Sequence, residues 1–113
     1  MKKKNIIRKN QEFNDIIQKK KAYRNKYLII YYIKKDKPPY RFGISVSKKL
    51  GNAVFRNKNK RQTKAILDQK IFPKPFDCII ILRKPYVDLT YQEKDQVLTK
   101  SLNDLKMLDG GKN

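Results

Sequence analysis

Hydrophobic positions along this chain change period from block to block, and each period predicts an element. Phe13, Ile16 and Ile17 recur at helical spacing behind Asn10, a residue able to cap a helix N-terminus. Lys19, Lys20 and Lys21 close that helix with positive charge, which suits the negative end of its dipole. Tyr27-Leu28-Ile29-Ile30-Tyr31-Tyr32-Ile33 is a run of strand length, aromatic and β-branched. It lacks polar alternation, so both of its faces are expected to be covered or used. Lys34 to Pro39 form a turn with Pro38-Pro39 as punctuation. Beyond it the pattern alternates: Phe42, Ile44 and Val46 point one way, and Gly43, Ser45 and Ser47 the other. The small-residue face leaves room either for a ligand lying on the sheet or for a packed helix.

Gly51-Asn52 breaks the alternation, and Asn52 is a plausible cap for a helix over residues 53–68. At about 100° per residue, Phe55, Asn59, Gln62 and Ile66 share one edge of it. Asn59 and Gln62 are out of keeping with an inward edge and are expected at the margin of the core. A further strand is predicted over Phe76 to Leu82, central and buried around Ile79-Ile80-Ile81, and ended by Arg83-Lys84-Pro85. Thr90 and Glu93 have capping-box spacing. Behind them Val97, Leu98, Leu102, Leu105 and Leu108 form an apolar stripe, so the last helix should pack on the sheet. Residues 1–9 read as a basic arm, mobile before binding, and 110–113 as a fraying tail. Nothing divides residues 1–113 into separate domains.

Charge changes this picture most on the 53–68 helix. Its stretch from Arg56 to Lys64 carries Arg56, Lys58, Lys60, Arg61 and Lys64, with no acidic, aliphatic or aromatic side chain among the nine residues. The helix is therefore a basic ridge anchored by apolar contacts at its ends. The whole chain has 29 Lys+Arg against 10 Asp+Glu, a formal net charge of +19. Self-repulsion of that size calls for a polyanion, and phosphate backbones serve best because each neutralised phosphate releases counterions. Six of the 29 basic residues are arginine, so most are suited to act as point charges rather than planar forks.

Candidate chemistry is almost all for binding. The chain has no histidine, which removes imidazole acid–base catalysis and histidine metal ligation. Its one cysteine, Cys78, sits beside Ile79 and Ile80 and reads as a small buried hydrophobe. The aspartates are scattered, with no carboxylate cluster of the kind a two-metal nuclease needs. No catalytic residue and no metal site are expected. No apolar run reaches the ~18 residues of a membrane span, and Ile6-Ile7 is too short for a signal-peptide core. The chain reads as cytoplasmic. Phe13, Tyr23, Tyr27, Tyr31, Tyr32 and Tyr40 lie beside basic residues, a mixture that suits single-stranded nucleic acid. Each ring is equally compatible with core packing, Phe13 included. A basic ribosomal protein would share the charge. A cationic membrane-surface protein would need a larger apolar helix face.

The block Phe42-Gly43-Ile44-Ser45-Val46-Ser47-Lys48-Lys49-Leu50-Gly51-Asn52-Ala53-Val54 runs into Arg56-Asn57-Lys58 and Lys60-Arg61. It resembles the signature of the bacterial ribonuclease P protein subunit, in which an Arg-Asn-Arg helix follows S-K-K-x-G-x-A-V. The similarity extends over nearly the whole chain, through Ile79-Ile80-Ile81-Leu82-Arg83-Lys84-Pro85 and the last helix. The resemblance implies an α/β (α+β) two-layer sandwich, a small mixed sheet with about three helices and a left-handed βαβ crossover, against the usual right-handed rule. It implies two RNA partners, the catalytic RNA of ribonuclease P and the 5′ leader of precursor tRNA, with no membrane and no obligate protein partner. The RNA, with Mg²⁺ that it chiefly holds, would perform the hydrolysis. Lys48, Lys49, Arg56, Asn57, Lys58, Lys60, Arg61 and Lys64 would then face the catalytic RNA. Phe13, Ile17, Ile30 and Tyr32 would form a leader cleft between the first helix and the sheet. Departures from the family pattern are Lys58 for the second Arg, Asn59 for an apolar residue, and Gln62-Thr63-Lys64-Ala65 in place of Leu-Leu-Arg-Glu. Fewer guanidinium forks and cleft rings imply weaker, less fixed contacts.

Overall fold

Strand β4 (Phe76–Leu82) occupies the centre of a four-stranded sheet ordered β1-β2-β4-β3 in a computed structural model that describes residues 1–19 and 21–108. It pairs antiparallel with β2 (Leu28–Lys34) and parallel with β3 (Arg41–Val46). The unbroken apolar run at Ile79-Ile80 is explained by this position, since both residues are fully buried on opposite faces. A two-residue strand, β1 (Tyr23–Arg24), adds antiparallel to β2 and has no pattern long enough to see in sequence.

The two faces of the sheet carry unequal layers. On one, Phe42, Ile44, Phe76, Cys78 and Ile80 meet Ile66 and Leu67 of α2 (Ala53–Asp68) and Leu98 and Leu102 of α4 (Tyr91–Asp104). On the other, Tyr31 and Ile79 meet Ile16 of α1 (Asn10–Lys19) and Ile7. Helix α1 begins one residue earlier than expected, because the Lys9 carbonyl accepts from the Phe13 N–H at 3.1 Å. Of the lysines expected to close it, Lys20 lies outside the described residues, as does the 110–113 tail.

The chain joining β3 to β4 through α2 makes a parallel βαβ unit whose hand follows from one hydrogen bond. Ile7 N–H donates to the Phe42 carbonyl at 2.9 Å, so that carbonyl points to the outer edge of β3, away from β4. The Phe42 ring meanwhile points to the α2 face. For an L residue in a strand drawn upward with its side chain toward the viewer, N–H and C=O point right. Strand β4 therefore lies to the left with α2 in front, which is a left-handed crossover.

The N-terminal arm is docked rather than mobile, contrary to expectation. A 3₁₀ turn at Lys3–Asn5 buries Asn5, whose Nδ2 donates to the Tyr40 carbonyl at 2.7 Å. Ile6 forms a parallel bridge with Phe42, and Ile7 is buried. Lys2 to Lys4 face water while the next three residues, Asn5 to Ile7, engage β3 and the residue before it, a pattern the charge run concealed. Arg83-Lys84-Pro85 does more than end β4, since Lys84–Val87 forms a short helix, α3, with Pro85 in its first turn. The capping box is present, with reciprocal Thr90 and Glu93 bonds of 2.9 and 3.2 Å.

Asn59 departs from its expected place. It is buried rather than marginal, with Nδ2 donating to the Phe55 carbonyl at 3.1 Å and Oδ1 without a partner. Thr63, next to Gln62, is also fully buried and shares a 2.8 Å hydrogen bond with the Tyr86 hydroxyl. An orphaned buried acceptor costs about 1–3 kcal/mol. Asn59→Leu is therefore expected to stabilise the chain by about 1 kcal/mol after loss of the weak Phe55 contact, read as a higher urea midpoint at unchanged slope.

Candidate nucleic-acid interface

Helix α2 starts where Asn52 Oδ1 accepts from the Phe55 N–H at 2.9 Å, and its direction sets where the basic residues point. Asn57, Lys58 and Arg61 are exposed, while Arg56 folds back to donate from Nε to the Gly51 carbonyl at 3.1 Å. Lys48 and Lys49 are exposed on a 3₁₀ turn, Lys48–Leu50, capped by Ser47. Lys60 and Lys64 lean the other way and form one wall of an open groove of about 670 Å³. The opposite wall is Arg8 with Phe13, Asn14 and Ile17 of α1, and the floor is the β3 segment Ile44–Val46.

The groove thus unites two residue sets that sequence kept apart, the α1 pair Phe13 and Ile17 and the α2 pair Lys60 and Lys64. It does not include Ile30 or Tyr32. Ile30 is 1% exposed in the α2/α4 layer, and Tyr32 packs on Phe76 at 5.5 Å between ring centroids. The sheet residues facing α1 are their neighbours Ile29, Tyr31 and Ile33. Side chains alternate across a strand, so a one-residue error in facing moves every assignment to the wrong layer. The run Tyr27–Ile33 has no polar residue to fix that choice.

Gly43 explains how α1 comes so close. A Cβ built there would lie 2.5 Å from Phe13 Cζ, so the ring rests directly on the strand backbone. The small-residue face of β3 therefore takes a helix at Gly43 and leaves the groove open at Ser45. Next to this contact, Arg41 fastens α1 to the sheet. Its Nε and Nη2 donate to Asp77 at 2.9 and 2.8 Å, and Nη1 donates to Glu12 at 3.0 Å. Lys35 adds a 3.2 Å bond to Asp77. Burial alone would raise the Asp77 carboxyl, but the Arg41 and Lys35 hydrogen bonds outweigh it and hold the group below its ordinary value. The stabilisation from this pairing is present above the ordinary aspartate pKa of about 3.9 and is lost as pH falls through the lower folded value. Asp77→Asn is expected to lower the melting temperature near neutral pH and to flatten the decline below about pH 4.

Arg8, Asn14 and Arg41 were not singled out from sequence. Only the glycine inside a strand signalled a close approach. Lys94 was also missed. It is 3% exposed between α2 and α4, donating to Gln62 Oε1 at 2.6 Å. Burial, and then Lys58, hold its ammonium below the usual lysine range. A slightly larger hollow of about 720 Å³ lies between Met1, Pro39, Tyr40 and Asp68. It is a poorer RNA site, because Tyr40 packs against Phe42, Phe72 and Phe76 and Asp68 is acidic. Among the described residues no group of three or more His, Cys, Asp or Glu could share a metal ion, and no helix is long and apolar enough to cross a membrane.

A family model described as Ribonuclease P matches residues 1–106. The chain belongs to the ribonuclease P protein family. The ribonuclease P protein component of Mesoplasma florum is 48% identical over 103 residues, 88% of this chain and 94% of that protein. That of Mycoplasma capricolum is 42% identical over 109 residues, 94% of this chain and all of the relative. Among solved structures, the Staphylococcus aureus RNase P protein has a TM-score of 0.82 at 33% identity, covering 93% of this chain and 98% of that one. The Thermotoga maritima RNase P protein has a TM-score of 0.76 at 30% identity, covering 92% and 97%. As a ribonuclease P protein component, the chain works within an endoribonuclease holoenzyme of tRNA 5′ processing, and its partner there is an RNA.

Proposed function

We propose that two surfaces of the chain serve two RNAs: the outer face of α2 holds the catalytic RNA, and the groove holds the 5′ leader of precursor tRNA. The observation that carries this reading is the convergence of Phe13 and Ile17 with Lys60 and Lys64 across one open groove. A half-buried ring offers a face on which an unpaired base can stack, while ammonium groups opposite it follow the phosphates. Outside the groove, Lys48, Lys49, Asn57, Lys58 and Arg61 are exposed on the turn and helix that follow β3. These groups suit a longer, structured backbone.

Mg²⁺ in this proposal belongs to the RNA. Glu12 and Asp77, beside the Phe13–Gly43 contact, are engaged by Arg41 and Lys35 and do not fit a metal. Reconstitution tests the division of labour: chain plus cognate RNA should remove the leader at physiological Mg²⁺, and RNA-free chain should cleave nothing. Precursor cleavage by the purified chain alone would overturn it.

Salt dependence tests the α2 surface. Contact with roughly five to eight phosphates gives a slope of about −4 to −7 in log K against log[salt]. Replacing Lys49, Lys58 and Arg61, all exposed on the outer face, together by alanine should flatten that slope by about two to three. An unchanged slope would move the contact elsewhere.

A further inference from the structure

The floor of the groove runs along the outer edge of β3. Ile44 and Val46 line it, yet the residues as a whole are only 8% and 7% exposed, and their side chains belong to the core beneath α2. What these two residues present to the groove is therefore their backbone. The Phe42 carbonyl accepts from Ile7 N–H at the outer edge of β3. Backbone groups alternate in direction along a strand, so the N–H and C=O of Ile44 and Val46 face that same edge. Past Ile7 the arm leaves the sheet for α1, and among the described residues nothing hydrogen-bonds to this stretch of edge.

An uncovered edge is a row of unpaired donors and acceptors that proteins normally cover or blunt. Here it lies at the bottom of a trench between Phe13 and two lysines. We propose that the β3 edge reads the Watson–Crick edges of unpaired bases, with Ile44 and Val46 supplying main-chain donors and acceptors about 6.6 Å apart. This rests on the reading of the groove as the leader site. An edge that alternates N–H with C=O opposes a phosphate at every carbonyl but matches a base, which offers donor and acceptor side by side. The phosphates then lie toward Lys60 and Lys64. Because the contact uses no side chain of its own and every base has a donor–acceptor pair, it selects for an unpaired strand rather than for a base identity. A duplex has those base edges already engaged.

The test is amide hydrogen exchange by NMR on the full chain, with saturating oligouridylate, its abasic counterpart and an RNA duplex as probes. Oligouridylate should slow exchange at Ile44 and Val46 by about tenfold or more. Gly43 and Ser45, whose amides face β4, should not change. The abasic strand and the duplex should shift Lys60 and Lys64 signals without protecting Ile44 or Val46. If Phe13 and Lys60 signals respond to oligouridylate while Ile44 and Val46 stay unprotected, the main-chain contact is wrong and the groove assignment stands. If none of the four responds, the groove assignment itself fails. Equal protection by the abasic strand would assign the amides to phosphate and overturn base-edge reading.

Discussion

Replacing Phe13 by alanine is expected to weaken holoenzyme binding of precursor tRNA by about 10- to 100-fold and to leave mature tRNA binding nearly unchanged. A base stacked on an aromatic ring is worth ~1–3 kcal/mol, and mature tRNA has no leader base to stack. The ring is half-buried, resting on Gly43 and forming one wall of the groove, so part of it is also structural. Circular dichroism and a denaturant midpoint must first show that the variant folds, because a fully buried Phe would cost about 3–5 kcal/mol. Arg61→Ala provides the contrast. Arg61 is exposed on the outer face of α2, and its loss should weaken assembly with the RNA and affect both substrates alike. Equal losses for precursor and mature tRNA in the folded Phe13 variant would remove the leader from this groove.

Gly43→Ala is the second change expected to have a large effect, although it adds a single methyl group. The new Cβ would sit 2.5 Å from Phe13 Cζ and 2.9 Å from Cε2, so the ring must lift away from the strand. Overpacking of this kind typically costs about 1–3 kcal/mol, and the ring's freedom at its outer end favours the lower part of that range. The larger consequence is for binding, since the displaced ring enters the space a leader base would use. Precursor affinity should fall by about tenfold, with mature tRNA again spared. In the Phe13→Ala background the same substitution has little left to displace. The two effects should therefore fall short of additivity by about 1 kcal/mol in a double-mutant cycle. Strict additivity would mean that Gly43 acts through something other than the ring.

How far the molecule could be read from its residues depended on whether one element had a chemical contrast between its faces. Phe42, Ile44 and Val46 alternate with Gly43 and Ser45, and their facing was legible at once. Helix α2 and its Asn52 cap, and the capping box at Thr90, follow short-range rules and appear where expected. Ile30 and Tyr32 were assigned to the wrong layer because Tyr27–Ile33 is apolar on both faces, and only tertiary contact decides between them. The docking of residues 1–7 was hidden for a related reason. Lysines dominate the segment, while Asn5 and Ile7, the groups that bind the sheet, look ordinary in sequence. The α1 residues that line the groove, Phe13 and Ile17, were visible as part of an apolar stripe. Their meeting with Lys60 and Lys64 was not, since it depends on how α1 and α2 converge at the β3 edge.

The unequal layering of the sheet gives the molecule two grades of permanence. The α2/α4 layer is closed by a large cluster that includes Phe42, Phe76, Ile80, Tyr86, Leu98 and Leu102. The α1 layer rests on Ile7, Ile16, Tyr31 and Ile79, with the Arg41 ion pairs as its main polar fastening. Opening free energy tracks buried apolar contact, so α1 should detach at a lower free energy than the rest of the domain unfolds. The wall that carries Phe13 is then a hinged jamb on a fixed frame. In the proposed leader site such a wall would let leaders of differing bulk enter sideways and seat, while the frame that holds α2 in position stays assembled.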